Sequence, residues 1–126
     1  QLIIPQPYFQ NQELLKAFLR GMFDTDGSLY PHKSAKIIIE LSITHKELQE
    51  SCFQAFTLLK LPVKRTTNRI YFIGHEKSSL FFENIGSSNF RQLKKYEIYK
   101  EVGSVPKNKQ IESYLKERNF SSTMGQ

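Results

Sequence analysis

The sequence predicts an α+β fold with the element order α-β-β-α-β-β-α and helices appended at the C-terminus. Three patterns carry that expectation. Leu14, Leu15, Phe18, Leu19, Met22 and Phe23 recur at the spacing of one helical face. Residues Lys36 to Thr44 alternate instead, with Ile37, Ile39, Leu41 and Ile43 on one side and Lys36, Ile38, Glu40, Ser42 and Thr44 on the other. A second hairpin centred on Thr67-Asn68 then lies between two further helical runs. Hairpins whose apolar faces need cover, with helices on either side in sequence, make a sheet covered by helices on one face.

Each element has a local reason. Pro5 and Pro7 make residues 1–10 an extended entry segment. Asn11 is an N-cap for the first long helix, which runs to a pair of acids and Gly27. Ala17 and Gly21, four apart, place two small residues on one helix face, where another backbone could approach closely. Gly27 is expected as a left-handed or close-approach position. Ser28 to His32 forms a strand that Pro31 makes irregular, Lys33-Ser34-Ala35 is the turn, and Lys36 to Thr44 is the return strand. Thr44-His45-Lys46-Glu47 has the capping-box pattern, with Thr44 as N-cap. The helix that follows carries Leu48, Cys52, Phe53, Phe56 and Leu59 and stops at Pro62. Strands are expected at Val63 to Thr66 and Arg69 to Ile73, then a helix from Glu76 to Ile85 with Leu80, Phe81 and Ile85 inward. Phe90 to Val102 follows the break at Ser87-Ser88-Asn89, and Lys107 to Arg118 is the last helix. The whole reads as one domain over residues 1–126, with 104–126 as a C-terminal helix and tail.

Composition narrows the function. Of 126 residues, 39% are hydrophobic and 13% aromatic, which suits a packed domain and not a disordered tail. The formal net charge of +6 suits an anionic partner, nucleic acid first among them. A single cysteine, Cys52, excludes an internal disulfide and a cysteine-based zinc site, and its place inside a helix reads as a small buried apolar residue. No apolar run approaches the ~18 residues of a membrane span, and the N-terminal residues lack a signal-peptide pattern. A soluble intracellular protein, cytoplasmic or organellar, with no membrane partner is the expectation. The chain begins at Gln1, which suits excision from a longer protein.

The run Leu19-Arg20-Gly21-Met22-Phe23-Asp24-Thr25-Asp26-Gly27 concentrates the chemistry. Two carboxylates one residue apart at a helix end suit either hydrogen bonding at a chain reversal or a metal ion. An EF-hand is excluded: its glycine belongs at loop position six and its glutamate at twelve, whereas Gly27 is fourth from Asp24 and Ala35 is twelfth.

This run resembles the signature of the LAGLIDADG homing endonucleases. Leu19, Gly21, Asp24, Asp26 and Gly27 stand at the eponymous positions. Met22 and Phe23 are apolar substitutes, Thr25 replaces a small residue, and Arg20 stands where the name has Ala, a long side chain expected to point outward. The order helix, acid pair, hairpin covers about residues 11 to 100. The resemblance implies a half-saddle that pairs with a second copy through the motif helix, with Ala17, Gly21 and Arg20 at the dimer interface. It implies Mg²⁺ or another divalent cation held by Asp26 and the Thr25 carbonyl, with Asp24 organising the helix end. His45, at the end of the second strand, and a lysine beyond the third helix, Lys95 or Lys94 with Lys95 favoured, complete the implied catalytic set. Mg²⁺ prefers oxygen ligands and often takes only one or two carboxylates, so one aspartate per site is sparse but sufficient.

The same resemblance assigns DNA reading to the outward face of the hairpins, since a two-stranded ribbon fits the major groove. Ser28, Tyr30, His32, Lys36, Ile38, Glu40 and Ser42 are the candidates from the first hairpin, and Lys64, Thr66, Arg69 and Tyr71 from the second. A nine-residue strand at ~3.3 Å per residue reaches roughly nine base pairs. One motif per chain then implies a homodimer cutting both strands of a pseudo-palindromic target of about 20 base pairs. A catalytically silent DNA- or RNA-binding module of the same fold, a maturase or a regulator, is the alternative. A half-domain belonging to a two-motif enzyme is a third reading.

Overall fold

The computed structural model describes residues 3–113. Its elements are α1 (Gln6–Phe9), α2 (Gln12–Asp26), β1 (Gly27–Tyr30), β2 (Ile38–Ser42), α3 (Lys46–Leu58), β3 (Lys64–Arg65), β4 (Arg69–Ile73), α4 (His75–Asn84) and α5 (Phe90–Val102). Residues 108–113 are helical and begin the expected last helix, whose remainder lies outside the described residues. The fold is α+β, as the alternation and the helical spacing predict.

The strands form one antiparallel sheet in the order β1-β2-β4-β3, so β2 and β4 are central and β1 and β3 are edges. Its inward rows are apolar: Gly27, Leu41 and Ile70 stand side by side, then Leu29, Ile39 and Phe72. Helices cover this face. Phe56 of α3 and Phe81 of α4 pack on Phe72 of the sheet, and Phe23 of α2 packs on Phe81. Centroid separations are 4.9 Å for Phe23–Phe81, 5.1 Å for Phe56–Phe72 and 5.2 Å for Phe72–Phe81. All four rings are fully buried. One aromatic from each of three helices thus joins a single cluster built on Phe72, and tilted or edge-on contacts of this kind add to plain burial.

Several local expectations are corrected. The entry segment is not extended throughout, because Gln6–Phe9 forms one helical turn with Pro7 inside the first turn, where a missing N–H costs nothing. The cap of α3 is His45, not Thr44: the His45 Nδ1 accepts from the Leu48 N–H at 3.2 Å, so the helix starts one residue later. Lys36 is not in the strand. It takes a left-handed φ of 73° and closes the β1–β2 loop by donating its N–H to the His32 carbonyl at 2.9 Å. The nine-residue strand is therefore a five-residue one, extended at each end by the Gly74 N–H to Ile37 carbonyl bond and the Ile43 N–H to Asn68 carbonyl bond. Leu80 is exposed, because α4 turns Ser78, Phe81 and Ile85 inward instead. Gly27 has φ −97°, so of the two readings the close approach is the correct one.

Candidate active site and nucleic-acid interface

Helix α2 delivers both motif acids. Asn11 caps its start, with Oδ1 accepting from the Glu13 and Leu14 N–H groups at 3.0 and 3.2 Å. Leu15, Leu19 and Phe23 bury one face, while Leu14, Ala17, Gly21 and Thr25 form an exposed stripe on another. A Cβ placed on Gly21 would meet nothing within 4 Å. Arg20 does not point outward: its Nε donates to the Ile85 carbonyl at 2.7 Å and ties α2 to the end of α4.

The two acids part company at the helix end. The Asp24 carboxylate accepts from the Ser87 hydroxyl and, at 2.9 Å, from the Ser88 N–H, so it is committed to the loop between α4 and α5. Asp26 is exposed. No hydrogen bond or ion pair to its carboxylate is formed among the described residues. Thr25 donates its hydroxyl back to the Gly21 carbonyl at 3.0 Å, and because the helix stops at Asp26 its own carbonyl lacks an intrahelical partner.

Helix α5 braces the same junction. Asn89 Nδ2, Gln92 Nε2 and Lys95 Nζ, one turn apart, donate to the carbonyls of Asp24, Gly27 and Leu29 at 3.5, 3.2 and 3.2 Å. Asn89 also caps α5 itself, with Oδ1 accepting from Arg91 and Gln92 N–H groups. The Gly27 and Leu29 carbonyls lie on edge strand β1, where outward backbone groups need partners other than a neighbouring strand. The Gln92 Oε1 is buried without a partner among the described residues. Burial, and after it the Arg91 charge, holds the Lys95 ammonium below the usual lysine value. Lys94 leaves this face and pairs with Glu97, with 3.2 Å to each carboxylate oxygen. Asn89, Gln92 and Ser87 were not among the sequence candidates. The three-residue spacing of Asn89, Gln92 and Lys95 on a predicted helix is the signal that marks them.

The outward face of the sheet gathers some of the predicted DNA-facing residues and disperses others. Tyr30, Glu40, Ser42 and Arg69 form one network. Tyr30 donates its hydroxyl to Glu40 Oε2, Arg69 Nη1 donates to the same oxygen at 2.8 Å, and Ser42 Oγ donates to Glu40 Oε1 at 3.3 Å. The Arg69 guanidinium carbon stands 5.8 Å from the Tyr71 ring centroid. Burial and the Glu40 carboxylate raise the Tyr30 phenol above its ordinary value. Ser28, Glu40, Tyr71 and Lys64 make one row across the four strands. Ile38 is buried, a correction to its expected outward exposure, and stands between Tyr30 and Ile73 in register. His32 spends its Nδ1 on the Ser34 and Ala35 N–H groups, shaping the loop in which Lys36 is exposed. Thr66 pairs its N–H with the Arg69 carbonyl at the second turn. His45 likewise spends one ring nitrogen on its cap, which leaves the proton on Nε2.

No helix among the described residues is long and apolar enough to cross a membrane. No solved structure matches the chain. Over 93 residues it is 34% identical to a replication factor C small subunit of Methanocaldococcus jannaschii, a match covering 66% of this chain and 5% of that protein. The chain thus spans about a twentieth of the length of the curated relative it matches. Residues 13–86, from the start of the motif helix to the end of α4, match the LAGLIDADG-like domain. With the motif helix, its acid pair and the two hairpins all inside the matched span, this chain belongs to the LAGLIDADG-like family.

Proposed function

We propose that this chain is a site-specific, divalent-metal-dependent DNA endonuclease that acts as a homodimer. The observation that carries this reading is the split between the two motif acids. Asp24 is consumed by the α4–α5 loop, whereas Asp26, at the head of β1, stays exposed and has no partner among the described residues. An aspartate with no structural task at this junction is available for a ligand.

The donor set suits a hard cation such as Mg²⁺: one carboxylate from Asp26 and one backbone carbonyl from Thr25. Among the described residues no three His, Cys, Asp or Glu side chains converge, so further ligands would come from water, DNA phosphates or a second copy. When bound, the cation supplies charge neutralisation at the scissile phosphate and a more acidic water. The charge-balancing role near the phosphate falls to Lys95 in this reading, supported by its Nζ lying on the Leu29 carbonyl beside the junction, whereas Lys94 pairs with Glu97. Asp24 fixes the helix end. His45 has one ring nitrogen left for a water or a phosphate.

The exposed stripe of Leu14, Ala17 and Gly21 supports pairing through α2, since two such stripes allow close backbone approach across a two-fold axis. The paired stretch from Ile37 to Ile43 reaches ~23 Å at ~3.3 Å per residue, roughly seven base pairs per half-site. The matched relative is named for replication, but a match to a twentieth of its length gives no ground for carrying that role over.

A cleavage-site selection on randomised duplexes with Mg²⁺, run with wild type and Asp26→Asn side by side, tests the proposal. Wild type should enrich one long pseudo-palindromic site cut on both strands, and Asp26→Asn should be inert while melting at the wild-type temperature. Cutting in a chelator, or by Asp26→Asn, would sink the metal role. A monomer on cognate DNA in sedimentation would sink the homodimer. Tight binding without cutting would favour the silent module.

A further inference from the structure

We infer that Arg69 reads a guanine in the part of each half-site nearest the cut, and that Glu40 is its positioning residue and not itself a base reader. This rests on the DNA-binding reading above and adds the base and its place.

The ground is how the network divides its hydrogen-bonding groups. Glu40 has both oxygens engaged, Oε1 by Ser42 and Oε2 by Tyr30 and Arg69, and its side chain is only 12% exposed. Its remaining acceptor position, on Oε1, belongs to a largely buried side chain, so Glu40 presents little to a cytosine amino group. Arg69 is the opposite case. Its contacts to Glu40, at 2.8 Å, and to the Tyr30 hydroxyl, at 3.4 Å, both use Nη1, and its side chain is 43% exposed. The remaining fork, Nε and Nη2, carries donors that no group among the described residues takes. Two parallel donors held in a plane match the O6 and N7 acceptors of guanine in the major groove, the commonest specific arginine contact. The Glu40 carboxylate also halves the problem of ordering a long side chain, because the guanidinium is already held at one nitrogen before DNA arrives. The surroundings suit a groove floor: Arg69 and Glu40 line a cleft of ≈ 470 Å³ with Ser42, Thr44, Thr66 and Asn68, short side chains that leave the fork room.

Register sets the place. Gly27 stands opposite Leu41, and Ser42 stands opposite Arg69, so Arg69 and Asp26 lie at the same end of the sheet. Two strand spacings of ~4.8 Å separate β1 from β4, which puts Arg69 ~10 Å across the sheet from Asp26. The β1–β2 loop with His32 and Lys36 lies at the far end and would meet the outer part of the half-site.

The test is a binding selection on randomised duplexes in a chelator, so that nothing is cut, using the full chain as wild type, Arg69→Ala, Arg69→Gln and Lys64→Ala. Lys64 is exposed on the same face and serves as the comparator. Wild type should enrich a guanine at one inner position of each half-site. Arg69→Ala should lose that preference, roughly 5- to 150-fold in discrimination, with the other positions unchanged. Arg69→Gln should move the preference at that position toward adenine, a gain that a misfolded protein cannot produce. Lys64→Ala should weaken all sequences alike. An unchanged consensus for Arg69→Ala, or a uniform loss over all sequences, overturns the assignment and leaves the endonuclease reading standing. Failure of wild type to bind any duplex overturns both.

Discussion

Two glycines of the motif should respond in opposite directions to the same substitution. At Gly27 an added Cβ would lie 2.3 Å from Phe23 Cδ1 and 2.6 Å from the Phe23 carbonyl oxygen. Neither atom can yield. The ring is fully buried and packs on Phe81 at 4.9 Å, and the carbonyl accepts the Gly27 N–H that closes α2. Gly27→Ala must therefore displace the last turn of α2 or the central aromatic cluster, an overpacking penalty of about 3 kcal/mol, at the upper end of the usual range. For a chain of this size that lowers the melting temperature by roughly 12 °C. At Gly21 a Cβ meets nothing within 4 Å, the backbone is helical, and alanine is favoured over glycine by ~1 kcal/mol in a helix interior. Gly21→Ala should stabilise the protomer by about that amount. Urea unfolding followed by far-ultraviolet circular dichroism would read both as midpoint shifts at constant slope, at concentrations where the midpoint no longer depends on protein concentration. A wild-type midpoint for Gly27→Ala, or equal losses for the two variants, would refute the close-approach reasoning.

Other expectations follow from the same junction and core. Asp24→Ala should cost roughly 2–3 kcal/mol by removing the acceptor of two loop hydrogen bonds, and the Ser88 amide should exchange faster with solvent; unchanged Ser88 protection would contradict this. Because Lys95 is held below the ordinary lysine value of 10.5, the folded chain binds fewer protons than the unfolded one between the lowered value and 10.5. Wild type should therefore gain stability relative to Lys95→Met as pH rises toward 10.5, and a pH-independent difference would count against it. Burial pushes the Cys52 thiol up to about 12, so iodoacetamide at mildly alkaline pH should leave it unmodified in the native protein and label it fully in urea.

Legibility in the sequence followed the range of the interaction. The Asn11 N-cap and the alternation of Arg69–Ile73 are written in consecutive residues, and the sequence predicts both to the residue. The cap of α3 missed by one residue because Thr44 and His45 both offer an acceptor, and only the chain path out of β2 selects His45. Ile38 follows the alternation correctly in direction. Its burial, however, comes from partners at positions 30 and 73 on other strands. The division between Lys94 and Lys95 was open in the sequence because adjacent helix residues differ only in azimuth, and that matters only once β1 lies beside α5.

The sequence by itself determined the α+β class, the single acid-bearing motif helix and the family, since periodicity and motif spacing are written in order along the chain. Only the tertiary structure decided which groups each acid and each base meets. It brought loop 87–89 to Asp24 across more than sixty residues and left Asp26 without a partner among the described residues. It brought Arg69 to Glu40 and Tyr30 across three strands. A side chain's task at such a site depends on which of its hydrogen-bonding groups are already taken. The partners that take them are set by the packing of sheet and helices, not by the neighbours in the chain.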